Sequence, residues 1–202
     1  DKAFEVINGM RTVELRVLLK AINTLVLARA LAAHPAINVQ CSAVEGNENY
    51  TLRERLMYLG LPAPLFTIDL DTEMGRRISR HAFQRFFDCL EPAFGLQVTL
   101  GQVNTVVVCP ALTSHSELSD EALRQAGISL TTIRIAVGDE DPRGLLAHLM
   151  QAAELALEPE CPGFSRHFGQ PQAIDALYES TYVDVHRRYA ASRPRMQQML
   201  SP

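Results

Sequence analysis

The stretch TTIRIAVGDEDPRGLLAHL, residues 131–149, holds the clearest strand pattern in the chain. Apolar and polar side chains alternate over 131–137, which predicts a strand with one buried face. Ile133 and Ile135 point to the buried face, so Arg134 between them must point to the other face. An arginine in that setting binds a carboxylate with two parallel hydrogen bonds, or it forms an internal salt bridge or lies at a solvated edge.

The same stretch predicts a helix that follows the strand directly. Asp141 is placed to cap it, and Pro142 takes its first position, where a missing N–H costs nothing. This helix should run to about residue 157. Outward from this unit, hydrophobic spacing predicts helices at 11–34, 51–60, 72–92 (capped by Thr72), about 119–126 and 174–191, and strands at 36–44, 65–71, 95–100 and 103–109.

The connections between these elements indicate the fold class. The strands at 95–100 and 103–109 lie too close for a crossover helix, so we expect antiparallel neighbours or one bent strand. The sequence therefore predicts an α+β fold, with a mixed, largely antiparallel sheet, helices packed on it, and a C-terminal helical tail.

Three regions are predicted along the chain. Residues 1–34 form a long connecting helix region, and residues 35–158 form an α+β domain. Residues 159–202 form a linker and a helical tail, because prolines and glycines interrupt the pattern around 158–169. The apolar stripe of the tail helix is able to pack on the domain or on a partner chain.

The composition and charge of the chain argue against several classes of protein. The 202 residues carry a net charge of −4, which argues against nucleic acid as a partner. No run of about 18 apolar residues exists, and the start DKAFEV is not a signal peptide, so we expect neither a membrane span nor export. Four scattered cysteines indicate reduced thiols in a cytoplasmic protein. The chain does not begin with Met, which we interpret as a sign of a processed product or a fragment.

Two charged clusters have a functional and a structural interpretation. Asp139, Glu140 and Asp141 could bind a metal in a stand-alone enzyme, but helix capping and favourable charge at a helix N-terminus are preferred. Arg76, Arg77 and Arg80 could bind an anion, but a solvated helix face is preferred. No GxSxG, GxxxxGK[ST] or HExxH motif is present. We therefore assign no metal ligand.

Three regions of the chain, 8–16, 99–115 and 127–141, together resemble one enzyme family. Residues 127–141, GISLTTIRIAVGDED, follow the pattern G-I-S-x-x-x-[IV]-R-[LI]-S-V-G-x-E-D, with Ala136 at a usual serine. Residues 99–106 and 109–115 are similar to S-L-G-G-x-E-S-L and x-P-A-x-M-T-H, and 8–16 is similar to R-G-L-[KR]-T-L-x-x-R. These patterns belong to the pyridoxal phosphate (PLP)-dependent trans-sulfuration enzymes, which include cystathionine γ-synthase, cystathionine lyases and homoserine-ester sulfhydrylases.

The resemblance implies roles for two residues. It identifies Arg134 as the anchor of the α-carboxylate of an amino-acid substrate, and it places Thr99 at the serine beside that anchor. Asn104 stands where the family usually has a glutamate, and Gln102 stands where it usually has a glycine. Both differences affect which amino-acid substrate the resemblance implies. The fold implied is the small C-terminal domain of a fold-type I PLP enzyme.

The lysine that this family uses to hold PLP as a Schiff base has no counterpart here. The chain has only Lys2 and Lys20, and neither lies in the family's S-x-[TS]-K segment. Catalytic and cofactor-binding residues are therefore expected outside this chain, in an absent large domain, and the chain alone is expected to be inactive.

Two functional hypotheses follow. In the first, the chain is the C-terminal part of a cytoplasmic PLP enzyme that performs γ-replacement on an O-acylhomoserine, with cysteine as the thiol, to give cystathionine. Homotetramers are typical of the family. In the second, the chain is a non-catalytic binding or oligomerisation module that keeps the small-domain fold without the PLP domain.

Overall fold

The computed structural model describes residues 2–70 and 72–193. Asp1, Asp71 of the predicted strand, and residues 194–202 of the predicted tail lie outside the described part. The described residues form helices α1 (Lys2–Arg11), α2 (Val13–Ala32), α3 (Tyr50–Leu56), α4 (Arg80–Asp88), α5 (Asp120–Gln125), α6 (Pro142–Ala156) and α7 (Pro171–Ser192), and strands β1 (Asn38–Gln40), β2 (Leu65–Asp69), β3 (Gly95–Leu96), β4 (Val106–Val108) and β5 (Ile133–Ala136).

The strands form one sheet in the order β1-β2-β5-β4-β3. β5 lies at its centre and pairs antiparallel with both β2 and β4. β1 is antiparallel to β2, whereas β3 and β4 are parallel. The prediction of an α+β fold with a mixed, largely antiparallel sheet is confirmed.

The pairing of β3 with β4 contradicts the expected antiparallel pair. Two parallel strands normally need a long crossover, because the chain must return along the full length of the first strand. Here β3 ends at Leu96 and β4 has only three residues, so the return path is short. The loop 97–105 makes the return without a helix.

One face of the sheet forms the core. Phe66, Ile68, Ile133, Ile135 and Val107 are buried on this face and join a single cluster with apolar residues of α2, α4 and α6. Ile133 and Ile135 thus lie on the core face as predicted, but Thr132 and Ala136 on the other face are buried as well, so burial does not alternate along 131–137. Because directly paired residues share a face, Arg134 lies on the opposite face, between Thr67 of β2 and Val108 of β4.

The two long helices predicted at 11–34 and 72–92 have different outcomes. The helix predicted over 11–34 is confirmed as α2, which begins at Val13 and ends at Ala32. In 72–92, α4 begins only after Ser79, whose hydroxyl accepts from the Ala82 N–H at 3.1 Å. The predicted cap Thr72 instead accepts from the Gly75 N–H at 3.0 Å, which closes a separate turn.

The segment predicted as a linker packs against the domain. Cys161, Phe164 and Phe168 are buried in the core cluster. Glu158 accepts hydrogen bonds from the backbone of Gly163 and Ser165, at 2.5 and 2.9 Å. The linker prediction is therefore wrong for 158–169, because its prolines and glycines shape packed turns.

The predicted tail helix is confirmed as α7, which packs along α2 of the same chain. Thr181 and Val185 are the buried residues of α7. Among the described residues, no helix is both long and apolar enough to cross a membrane.

Candidate functional site

Arg134 is half-buried at the centre of the sheet, and its guanidinium forms no hydrogen bond or ion pair with any residue in 2–70 or 72–193. Asp69 on β2 is engaged elsewhere, because its carboxylate accepts from Thr131 Oγ1 at 3.0 Å and Thr132 Oγ1 at 2.6 Å. The alternative of an internal salt bridge thus finds no partner in the described part of the chain. The guanidinium keeps its five N–H donors for another group.

Thr99 lies in the loop 97–105 and not on a strand, since β3 ends at Leu96. Its side chain is half-buried, and its hydroxyl makes no hydrogen bond to a residue that the structure describes. Both residues singled out from the sequence therefore carry polar groups that have no partner among the residues the structure describes.

Hydrogen bonds fasten the loop that carries Thr99 to the turn after β5. Glu140 accepts from the Thr105 N–H at 2.6 Å and from its hydroxyl at 2.8 Å. The same hydroxyl accepts from the Gly138 N–H at 2.9 Å. The Asp139 N–H donates to the Val103 carbonyl at 2.7 Å. The strand of Arg134 and the loop of Thr99 thus form one unit.

Two buried polar side chains of helix α2 donate hydrogen bonds to backbone carbonyls of this unit. Asn23 Nδ2 donates to the carbonyls of Gly138 and Glu140, at 3.1 and 2.8 Å. Lys20 Nζ donates to the Gln102 carbonyl and lies 3.8 Å from Asp139 Oδ1. Sequence reasoning missed these residues. The signal was the presence of Lys20 and Asn23 within the apolar run of a buried helix, where polar groups need partners.

The three acids at the end of β5 each have a separate structural role. Asp141 caps α6 by accepting from the Arg143 N–H at 2.9 Å, as the sequence predicts. The Arg143 guanidinium, through its hydrogen bond, lowers the pKa of Asp141. Asp139 pairs with Lys20, and Glu140 binds Thr105. The described residues contain no group of three His, Cys, Asp or Glu side chains placed to hold a metal ion.

The arginine row does not form one helix face. Arg76 and Arg77 lie in a 3-10 turn at 75–77, and Arg80 begins α4. All three side chains are exposed, in keeping with the solvated interpretation.

Three of the four cysteines are buried, and all four are free thiols. Burial raises the pKa of Cys109 to about 11, so its thiol is neutral near pH 7. Burial also raises the pKa of Cys41 and Cys161. Since the thiolate is the reactive form, these cysteines are suited to packing and not to nucleophilic chemistry.

Neither lysine of the chain fits the cofactor that the resemblance implies. Lys20 is only 7% exposed, and its ammonium group is held by Gln102 and Asp139. Lys2 lies on α1, a helix with no buried residue. The residues of this chain thus supply no lysine for a Schiff base with PLP.

Comparison with known proteins places this geometry in a family. The family model described as "Cys/Met metabolism PLP-dependent enzyme" matches residues 1–154. The homocysteine synthase of Schizosaccharomyces pombe is 29% identical over 154 residues, which are 76% of this chain and 34% of that protein. The L-methionine γ-lyase of Pseudomonas deceptionensis is 32% identical over 71% of this chain and 34% of its own length.

A solved structure shares the fold. The cystathionine γ-synthase of Xanthomonas oryzae pv. oryzae, in complex with cystathionine, has a TM-score of 0.62 and 26% identity, over 76% of this chain and 38% of that chain. The present chain spans about a third of the length of the curated relatives it matches. The chain belongs to the PLP-dependent enzymes of cysteine and methionine metabolism.

Proposed function

We propose that this chain is the C-terminal, substrate-binding part of a PLP enzyme of sulfur amino-acid metabolism. The full protein would perform γ-replacement on an O-acylhomoserine, with cysteine as the thiol, to give cystathionine. The likeness to a homocysteine synthase and to a cystathionine γ-synthase supports this reaction class. A cytoplasmic homotetramer is part of the same proposal.

The observation that carries the proposal is the half-buried guanidinium of Arg134, which has no side-chain partner in residues 2–70 and 72–193. A planar guanidinium binds a carboxylate with two parallel hydrogen bonds, so it fixes the orientation as well as the position of an amino acid. The Thr99 hydroxyl would accept or donate one further hydrogen bond from the fastened loop. In this role Arg134 binds and orients substrate, while residues outside this chain hold the cofactor and carry out the chemistry.

Replacing Arg134 tests the proposal in the full-length enzyme. We expect Arg134→Ala to cost about 2–4 kcal/mol of substrate binding, seen as a rise of roughly 30- to 900-fold in KM for the O-acylhomoserine. Arg134→Lys should recover only part of this loss, because an ammonium group cannot bind the carboxylate in a fork. Steady-state kinetics with cysteine and with sulfide as thiols would also identify the second substrate.

Arg124→Ala is the matched control. Arg124 is an exposed arginine of α5 that pairs with Glu121, at 3.0 Å. Its removal should leave KM unchanged, since exposed ion pairs contribute little. An unchanged KM in Arg134→Ala would refute the anchoring role.

One surface favours the non-catalytic module as a second candidate. Helix α1 has no buried residue, and it exposes Phe4, Ile7 and Met10, with Phe4 at 65%. Apolar groups exposed together mark contact surfaces. The intact mass of the native product separates the two candidates: a mass well above 22.4 kDa with a cofactor-binding lysine supports the enzyme. A native product of this mass without such a lysine supports the module.

A further inference from the structure

A cavity of about 290 Å³ lies between α2, α3 with the turn that follows it, and α7. Three arginines line it, one from each helix: Arg29, Arg53 and Arg188. Asp184 is the single acid in the lining, and Glu54 beside Arg53 adds a second negative charge, so the three arginines leave a net charge of +1. Such a concentration of guanidinium groups attracts anions.

Arg53 is held rigidly at the wall of this cavity. It is 5% exposed, and its Nε donates to the Ser42 carbonyl at 2.8 Å. Its Nη1 donates to the Gly60 carbonyl, and its Nη2 lies 3.3 Å from the partly exposed Glu54 carboxylate. A guanidinium fixed in this way loses little entropy when it binds a ligand.

The other two arginines, Arg29 and Arg188, make fewer polar contacts with described residues than Arg53 does. Arg188 is partly exposed, and one of its nitrogens pairs with Asp184 at 2.8 Å. Arg29 makes one long bond from Nε to the Ala43 carbonyl, at 3.4 Å. The terminal nitrogens of Arg29 make no hydrogen bond within the described residues, so they remain donors for a ligand in the cavity.

Thr181 gives an independent indication of a ligand. It lines the cavity and is 4% exposed, and its buried hydroxyl has no hydrogen-bond partner among the described residues. A threonine inside a helix usually donates to the carbonyl one turn earlier. A buried hydroxyl without a partner is unfavourable unless another group satisfies it.

We propose that this cavity binds a compact dianion, either phosphate itself or the phosphoryl group of a small monoester. The oxygens of a phosphoryl group suit the forked donors of arginine, and one of them would accept from the Thr181 hydroxyl. Leu25 and Leu61 form an apolar wall beside which a short organic part would fit. Because α7 begins at Pro171, beyond the family match at 1–154, the extension of this chain completes a site whose other wall, with Arg29 and Arg53, lies within that match. The proposal goes beyond the proposed enzyme function and does not depend on it.

Binding to the 202-residue chain tests the proposal. Isothermal titration calorimetry and thermal unfolding would use inorganic phosphate and glycerol 3-phosphate as probes, with sodium chloride of equal ionic strength as reference. We expect both probes to bind and to raise the unfolding temperature above the chloride reference. Tighter binding of the ester would assign an organic phosphate, and equal binding would assign inorganic phosphate.

Neighbouring arginines of α7 supply a matched pair of variants. Arg188→Gln should weaken phosphate binding by roughly tenfold or more, whereas Arg187→Gln removes the same charge outside the cavity and should leave the affinity unchanged. Thr181→Val should fold at least as stably as the wild type without phosphate, because the unpaired hydroxyl is gone, yet bind phosphate more weakly. Equal losses in Arg188→Gln and Arg187→Gln, or no binding above the chloride reference, would overturn the proposal.

Discussion

Gly138→Ala is expected to destabilise the folded protein by about 3–4 kcal/mol. A Cβ atom at this position would lie 2.3 Å from the Val103 carbonyl oxygen and 2.4 Å from the carbonyl carbon of Asn104. These are backbone atoms of the loop that carries Thr99, and the bonds of Thr105 and Glu140 prevent the loop from moving away. The variant must therefore break that network to fold, which urea-induced unfolding at pH 7 would measure.

Gly144→Ala provides the control for this experiment. Gly144 lies in α6, and a Cβ there would meet no atom within 4 Å. Alanine in a helix is more favourable than glycine, so this variant should be more stable by about 0.5–1 kcal/mol. The same chemical change thus has opposite effects at two positions six residues apart. A Gly138→Ala protein within 1 kcal/mol of the wild type would show that the loop is not fastened as described.

The sequence predicted well the features that depend on neighbouring residues. The cap at Asp141 and the first-turn position of Pro142 follow from local backbone chemistry, and both are found at the start of α6. The face of Arg134 follows from the period of two in a strand, which holds whatever the strand pairs with. The likeness of residues 127–141 to a family signature then led to the hypothesis that Arg134 binds the carboxylate of a substrate.

Features set by distant contacts could not be predicted in the same way. Strand pairing depends on the path of the connecting loop, so residues 95–109 gave no indication that β3 and β4 are parallel. Prolines and glycines around 158–169 suggested a linker, but Phe164 finds its partner in His34, 130 positions earlier. The hydrogen bonds among Thr105, Glu140 and Asn23 likewise join three segments that are far apart in sequence.

His34 packs against the segment 158–169. We expect His34→Ala to lower the free energy of unfolding by about 3–5 kcal/mol. The ring is 1% exposed, and its centroid lies 4.5 Å from that of Phe164 and 4.9 Å from that of Phe168. Nδ1 accepts from the Ala36 N–H at 3.1 Å, so the proton lies on Nε2, which donates to the Phe164 carbonyl at 2.9 Å. Alanine would leave a cavity and a buried Ala36 N–H without its partner, whereas the Phe164 carbonyl would keep its hydrogen bond from the His167 N–H at 3.2 Å. Faster amide hydrogen exchange over 158–193 should accompany the loss, because the segment leads into α7.

The stability difference between wild type and His34→Ala should depend on pH, and this dependence separates the contribution of the charge of His34 from that of its packing. Burial, with a smaller contribution from His167, lowers the pKa of His34 below its ordinary value, although the bond to Phe164 opposes the shift. Below about pH 6.5 the unfolded chain then takes up a proton that the folded chain does not. Wild-type stability should fall on acidification by up to about 1.4 kcal/mol per pH unit from this residue. Since His34→Ala lacks this proton uptake, the difference between the two proteins should narrow as the pH falls. A constant difference in stability between wild type and His34→Ala from pH 7.5 to about pH 5 would contradict the assignment.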